Sequence, residues 1–209
     1  MAKKSSGKKI PTSIKNSDLV EERREQIFVA AVRLIQEKGY NNTTLRDISR
    51  ETGIGLGSLY DYISTKEDIL YLVHEKAIAL VNIARNEKKS ELSDPIENLR
   101  ELIQIELDVM DKYQDLILSL YQESHCLTKP SLKYLLEKEE EHLSVFKQAI
   151  DEGIKLGVFK QYNSYMLTHI IKAVIDSWVL KRWAFRKKVD LSMMKEGIVD
   201  MILNGILKD

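Results

Sequence analysis

The stretch Gly53-Ile54-Gly55-Leu56-Gly57-Ser58-Leu59-Tyr60-Asp61-Tyr62 sets three glycines at alternate positions directly ahead of a serine and two tyrosines. Such a run either cradles a phosphate in a nucleotide enzyme or forms the turn of a motif that grips DNA. A dinucleotide fingerprint needs a strand before its first glycine, G-x-G-x-x-G spacing and an acid about twenty residues further on. Here the preceding residues, TTLRDISRET over 43–52, are polar with helical spacing, and the glycines read G-x-G-x-G. No Lys-Ser or Lys-Thr pair follows, so a Walker loop fails as well.

The flanks decide for the second reading. Ile27, Ala30, Ala31, Leu34 and Ile35 recur at i, i+3, i+4, i+7 and i+8, which predicts a helix from Ser17 or Glu21 to Lys38, ended by Gly39. Asn41 to Thr44 make a turn, and Thr44 stands three residues before Asp47 as a variant capping box. Leu45 and Ile48 mark a short helix that closes near Gly53, and a second short helix starts near Gly57, held on the core by Leu59 and Ile63. Two short helices joined by a glycine-containing turn form a helix-turn-helix, whose second helix enters the major groove. Ser58 and Tyr60 supply hydroxyl donors for phosphate oxygens, and Tyr62 adds a hydroxyl or a ring to set against a sugar or a thymine methyl.

With Thr43-Thr44-Leu45-Arg46-Asp47-Ile48, Gly53-Ile54, Gly57 through Ile63, and Lys66-Glu67-Asp68-Ile69-Leu70, the segment resembles the N-terminal domain of the tetracycline-repressor (TetR) family. The resemblance implies phosphate contacts from Thr43 and Thr44, a groove-edge contact from Arg46, and DNA contacts from Gly57, Ser58, Tyr60 and Tyr62. It implies a further phosphate contact from Lys66, and a helix N-terminus independently favours an anion at that place. Two positions depart from the pattern. Leu56 stands where many relatives carry a basic residue, and Asp61 repels phosphate unless it is a solvated residue or accepts from a cytosine amino group.

Composition bounds the rest. The chain has 209 residues, 32 basic and 32 acidic, 44% apolar, with only 9 glycines and 3 prolines, which favours an all-α protein. No apolar run approaches the ~20 residues of a membrane span, and the start lacks the apolar segment of a secretory signal, so a cytoplasmic protein with no membrane partner is expected. Cys126 stands alone. Residues 1–21 read as a basic, disordered tail, either a solubilising leader or a mobile arm drawn to polyanions, with Lys3, Lys4, Lys8, Lys9 and Lys15 and no acid before Asp18. Residues 22–82 read as the DNA-binding head and 83–209 as a helical effector-binding and dimerisation body.

In that body, periodicity predicts helices from Ile69, from Asp94-Pro95, over 115–124, from Pro130 or Ser131 to Leu156, over Ser164–Lys187 and over Leu191–Lys208. Met166, Ile170, Ile171, Val174, Ile175 and Trp178, with Ile198, Met201, Ile202, Gly205 and Ile206, form apolar stripes that suggest a homodimer through the last two helices. The resemblance implies operator DNA as partner and an effector cavity near Tyr113, Tyr121, His125, Phe146 and Trp178, suited to a small apolar effector, acyl-CoA or a drug-like molecule. An enzyme is the rival reading. Glu139-x-x-His142 is one element of a di-iron site, but no second such pair exists, and Glu123 to Cys126 offer no second ligand cluster. The expectation is therefore a regulator with no catalytic residues, no metal and no cofactor.

Overall fold

The computed structural model describes residues 10, 12–87, 94–123, 127 and 129–208. They divide into two compact units, one holding residues 1–76 with 115–138 and the other 77–114 with 139–209. This division does not coincide with the boundary after residue 82 suggested by the sequence.

In the first unit, α1 (Ser17–Lys38) begins where the carboxamide of Asn16 accepts from the Asp18 and Leu19 amides. It ends as Gly39 adopts positive φ and donates to the Ile35 carbonyl at 2.8 Å. Residues 17–21 therefore belong to this helix and not to a disordered tail. Ahead of it, Ile10 is buried and its carbonyl accepts from the Arg24 guanidinium at 2.7 Å. The rest of the expected disorder, residues 1–9 and 11, lies outside the described residues.

Next, α2 (Leu45–Thr52) opens with the capping box foreseen at Thr44 and Asp47 and closes at Gly53, which is left-handed at φ 70°. A Cβ there meets open space but imposes strain on any L side chain. The recognition segment is shorter than expected: α3 spans only Leu56–Leu59, and Tyr60 to Tyr62 form a tight turn with Asp61 and Tyr62 donating back to Ser58 and Leu59. Leu59, Tyr62 and Ile63, spaced i, i+3 and i+4, are all buried and hold the segment on the core. The helix α4 (Glu67–Glu87) follows, with the Asp68 carboxylate accepting from the amides of Ser64 and Thr65.

The second unit is built mainly from α5 (Pro95–Lys112), α8 (Ser164–Leu180) and α10 (Leu191–Ile206), which pack pairwise. Between α5 and α8 run α6 (Gln114–Glu123) and α7 (Lys129–Lys155). Asp94 caps α5 and Pro95 takes its first position, as the sequence indicated. The helix predicted over 164–187 instead breaks at Lys181, and α9 (Arg182–Phe185) is a separate turn. The break allows Phe185 to fold back onto Trp178, with ring centroids 6.0 Å apart and stacked. Ile198, Ile202 and Ile206 face this unit's own core, so that stripe is divided: only Met201 and Gly205 of the expected dimer residues on α10 are exposed. Among the described residues no helix is long and apolar enough to cross a membrane.

Past α7 the chain meets its own C-terminal segment. Phe159 and Leu207 form an isolated antiparallel bridge, with Lys160 donating to Ile206 at 2.8 Å and Lys208 to Val158 at 2.9 Å. Phe159 is fully buried against Gly153, where an added Cβ would lie 2.1 Å from the ring. Gly153→Ala therefore must displace Phe159, and the expected cost is about 1–3 kcal/mol, read as a lowered urea midpoint with an unchanged slope.

Candidate functional site

The reading surface is built on a turn locked from inside. The Ser49 hydroxyl donates to the Ile54 carbonyl at 2.6 Å, Thr52 donates to Ile48 at 2.8 Å, and the Ile54 amide donates to the Thr52 hydroxyl. Ile48, Ile54 and Leu59 are buried beneath these bonds. What is left outside is Arg46, Gly55, Gly57, Ser58 and Tyr60, the last 51% exposed. Arg46 enters no ion pair among the described residues. These groups combine hydroxyl donors, one guanidinium and backbone unprotected by side chains, a set suited to phosphate oxygens and base edges.

Four of the expected contacts read differently in the structure. Thr43 is fully buried and its hydroxyl donates to the Gly39 carbonyl at 2.9 Å, so it cannot reach a phosphate from this position. Thr44 is exposed, but its hydroxyl already donates to Asp47 at 2.7 Å and closes the capping box. Tyr62 is only 7% exposed, which makes its ring core rather than a stacking platform. The Lys66 ammonium lies over the Tyr40 ring, 4.2 Å from the centroid, and donates to the Asn41 carbonyl at 3.1 Å. It thus closes the α1–α2 loop against the start of α4. Asp47 is held well below the usual carboxylate range by the Lys38 ammonium, and then by its bonds to Thr44.

Asp61 accepts from the Ser13 hydroxyl at 3.2 Å. With Arg24 bonded to both the Ile10 and Tyr62 carbonyls, and Ser13 bonded to Asp61, Ile10 and Ser13 are fastened beside the recognition turn.

In the first unit Tyr134, from the start of α7, donates to Glu75 of α4 at 2.8 Å, and its ring stands 4.7 Å from Tyr71. Burial, then the Tyr134 hydroxyl, pushes the Tyr71 phenol strongly upward. Of the expected effector residues, Tyr121 belongs to this unit and is exposed, while His125 lies outside the described residues.

The remaining three belong to the second unit. Tyr113 packs on Ile105 and Val109, and Trp178 donates through Nε1 to Asp111, two residues earlier, at 2.9 Å. Phe146 is buried with its edge toward His142, 6.5 Å between centroids. It adjoins a polar cluster that sequence reading missed. His142 Nε2 and Glu106 are 2.9 Å apart, and Lys172 bridges Glu106, at 3.6 Å, to Asp176. Glu106, His142 and Asp176 are all buried, and His142 Nδ1 and Thr168 Oγ1 have no hydrogen-bond partner. A signal was present: Glu106 interrupts the apolar stripe of Leu99, Ile103 and Met110, and Lys172 and Asp176 sit four apart on an otherwise apolar helix. Glu139 and His142 do not start a metal site. Glu106 occupies the imidazole, and no group of three or more suitable ligands exists among the described residues.

Two family comparisons cover most of the chain. Residues 27–72 match the bacterial regulatory proteins of the tetR family, and residues 92–206 match the tetracyclin repressor-like C-terminal domain. The chain belongs to the TetR family. It is a helix-turn-helix transcriptional regulator of that type. It is 27% identical over 199 residues to the HTH-type transcriptional regulator HbdR of Aromatoleum sp. (strain CIB), covering 95% of this chain and 87% of that one. The fold matches FadR from Bacillus subtilis, solved with stearoyl-CoA, at a TM-score of 0.74 and 23% identity over 87% of this chain and 98% of the other. It also matches AibR, solved with isovaleryl coenzyme A and operator DNA, at 0.70 and 17% identity over 86% and 97%.

Two measurements check these placements. Tyr60→Ala should weaken binding to DNA selected in vitro by roughly tenfold, whereas Tyr62→Phe, which keeps the buried ring, should stay within about twofold in fluorescence anisotropy.

Glu106 supplies the second. Burial raises its pKa, but the His142 charge and hydrogen bond, then Lys172, outweigh burial and hold it at about 2. Its folded value lies below its unfolded one, so its stabilisation is complete above the ordinary value of 4.5 and fades as pH falls toward 2. Glu106→Ala should cost about 3–5 kcal/mol at neutral pH. Glu106→Gln should flatten the loss of stability over that acid window.

Proposed function

We propose that the protein is a homodimeric repressor, not an enzyme, that acts in the cytoplasm. It leaves a two-fold operator when a coenzyme A thioester with an apolar acyl group binds the helical body. The observation that carries the dimer is the outward face of α8 and its neighbours. Tyr165, Met166, Ile170 and Leu180, with Met193 and Met201 of α10, are all exposed large apolar side chains on two helices of one unit. A surface of that kind needs a cover, and a second copy supplies one in the arrangement that two-fold DNA recognition demands. Met166, Ile170 and Met201 of the sequence stripes therefore serve the partner, and Ile171, Ile175 and Trp178 the protomer's own core.

The effector class is supported by FadR and AibR, whose structures hold stearoyl-CoA and isovaleryl coenzyme A, the latter together with operator DNA. In this chain the second unit buries two polar groups still owed a partner, His142 Nδ1 and Thr168 Oγ1. Such groups bind a ligand's polar atoms at little added desolvation cost. The helix α7 carries His142 within the second unit and Tyr134 within the first, where Tyr134 holds α4 of the DNA-binding head. An effector shifts the heads only if it binds the DNA-incompetent state more tightly, and a helix shared by both units is the element through which that preference acts.

The test is direct. Light scattering should give a dimer, and Ile170→Glu with Met201→Glu should give a monomer that keeps its helical circular dichroism. On DNA selected in vitro, acyl-CoA esters should release the full chain, and the corresponding free fatty acids should release it far less. A wild-type monomer, or release by fatty acids and esters alike, would overturn the respective half.

A further inference from the structure

The corner between α8 and α10 carries a feature distinct in chemistry from the outward apolar face. Over Lys181–Lys188 the sequence KRWAFRKK places five cations in eight residues, and no acid occurs between Asp176 and Asp190. In their midst Trp183 is 73% exposed, the most exposed large apolar side chain among the described residues, with the Lys181 ammonium 6.0 Å from its ring centroid. An aromatic of this size left in water beside repelling charges costs stability on both counts.

The corner is also rigid. Phe185 stacks on Trp178, and Trp178 is bonded to Asp111, so the inner side of the turn is fixed to the body. Ala184 donates to Lys181, Arg186 to Arg182 and Lys188 to Phe185, each at 2.8–2.9 Å. Lys187 is held at φ 66°, the sole left-handed residue other than glycine among those described. Backbone strain of this kind persists where surrounding structure enforces it, and it concentrates at ligand sites. Here it brings Arg186, Lys187 and Lys188 together at one bend.

We propose that this corner binds the phosphorylated adenosine end of a coenzyme A thioester, with Trp183 stacking on the base and Arg186, Lys187 and Lys188 meeting the phosphates. The inference rests on the effector reading above and adds where the nucleotide sits. An exposed indole ringed by cations matches a π-face that carries several negative charges. The location suits a ligand that also enters the body, because Trp178, an expected effector residue, stacks on Phe185 two residues from Trp183.

The chain has two tryptophans, and only Trp183 is exposed, so emission reports on the corner. Free coenzyme A and adenosine 3′,5′-bisphosphate, neither bearing an acyl chain, should quench the full-length protein, and added salt should weaken both. Trp183→Ala should abolish the quench and lower coenzyme A affinity in calorimetry by roughly tenfold or more. The triple change of Arg186, Lys187 and Lys188 to Ser should lower it similarly, and Trp183→Phe should retain most of it. Unchanged emission with both nucleotides, or equal calorimetric affinity in wild type and Trp183→Ala, overturns the proposal. So does a Trp183→Ala protein that loses its dimer instead of its ligand, or corner-dependent binding to anionic vesicles but not to coenzyme A. Acyl-CoA that releases DNA equally well from both proteins sinks the corner and leaves the effector reading intact. Corner-dependent coenzyme A binding, with no thioester able to release DNA, supports the corner and sinks that reading.

Discussion

The DNA-binding end of this protein depends on the burial of Leu59, the last residue of a one-turn helix, and of Ile63 just beyond it. A four-residue helix has almost no stability of its own, because nucleation costs more than its few hydrogen bonds return. Its position is therefore set by side chains that leave the helix and enter the core formed with Ile27 and Ile48. Everything that faces outward, Ser58 and Tyr60 above all, inherits its direction from that anchoring. The bonds from Ser49 and Thr52 into the turn add the second constraint, fixing where the chain reverses between α2 and α3.

This dependence also explains what could be read without coordinates. Positions whose role is set by local chemistry were legible: the cap at Thr44, the helix end at Gly53, the Asp94-Pro95 start of α5, and the apolar period of α1. Roles set by a residue distant in sequence were not. Thr43 looks like a surface hydroxyl until the Gly39 carbonyl is found beneath it, and nothing near Asp61 in sequence points to Ser13, whose hydroxyl donates to it at 3.2 Å. Tyr62 sits two residues from Tyr60 with the same chemistry, yet it is buried with Leu59 and Ile63 while Tyr60 stays in solvent. The expected effector residues rested on aromatics and a histidine placed on helices of a resembled family, and the structure divides those described between two units.

Within the second unit the apolar stripes gave the helices but not their partners. Ile198 and Met201 lie three apart on α10, yet one seals the protomer and the other faces out. The buried charges around Glu106 are a different matter of energetics. Lys172 and Asp176 neutralise one another on a single turn of α8, while Glu106 and His142 link α5 to α7. Replacement of such a cluster by aliphatic residues is often neutral or stabilising. Its retention is therefore better explained by what it orients than by how strongly it holds, and α7 is the helix it orients.

The bridge between Phe159 and Leu207 sets an order for biosynthesis. On an emerging polypeptide the helices around Ile27, Ile48 and Leu59 come first, and the first unit is complete once residues 115–138 have followed and Tyr134 has met Glu75 and Tyr71. The layer formed by α5 and α8 must wait, because α10 and the strand-like contact at residues 206–208 complete it. For that interval its apolar surfaces lack their lid, which makes the nascent body, and not the head, the part of this protein with most need of a chaperone.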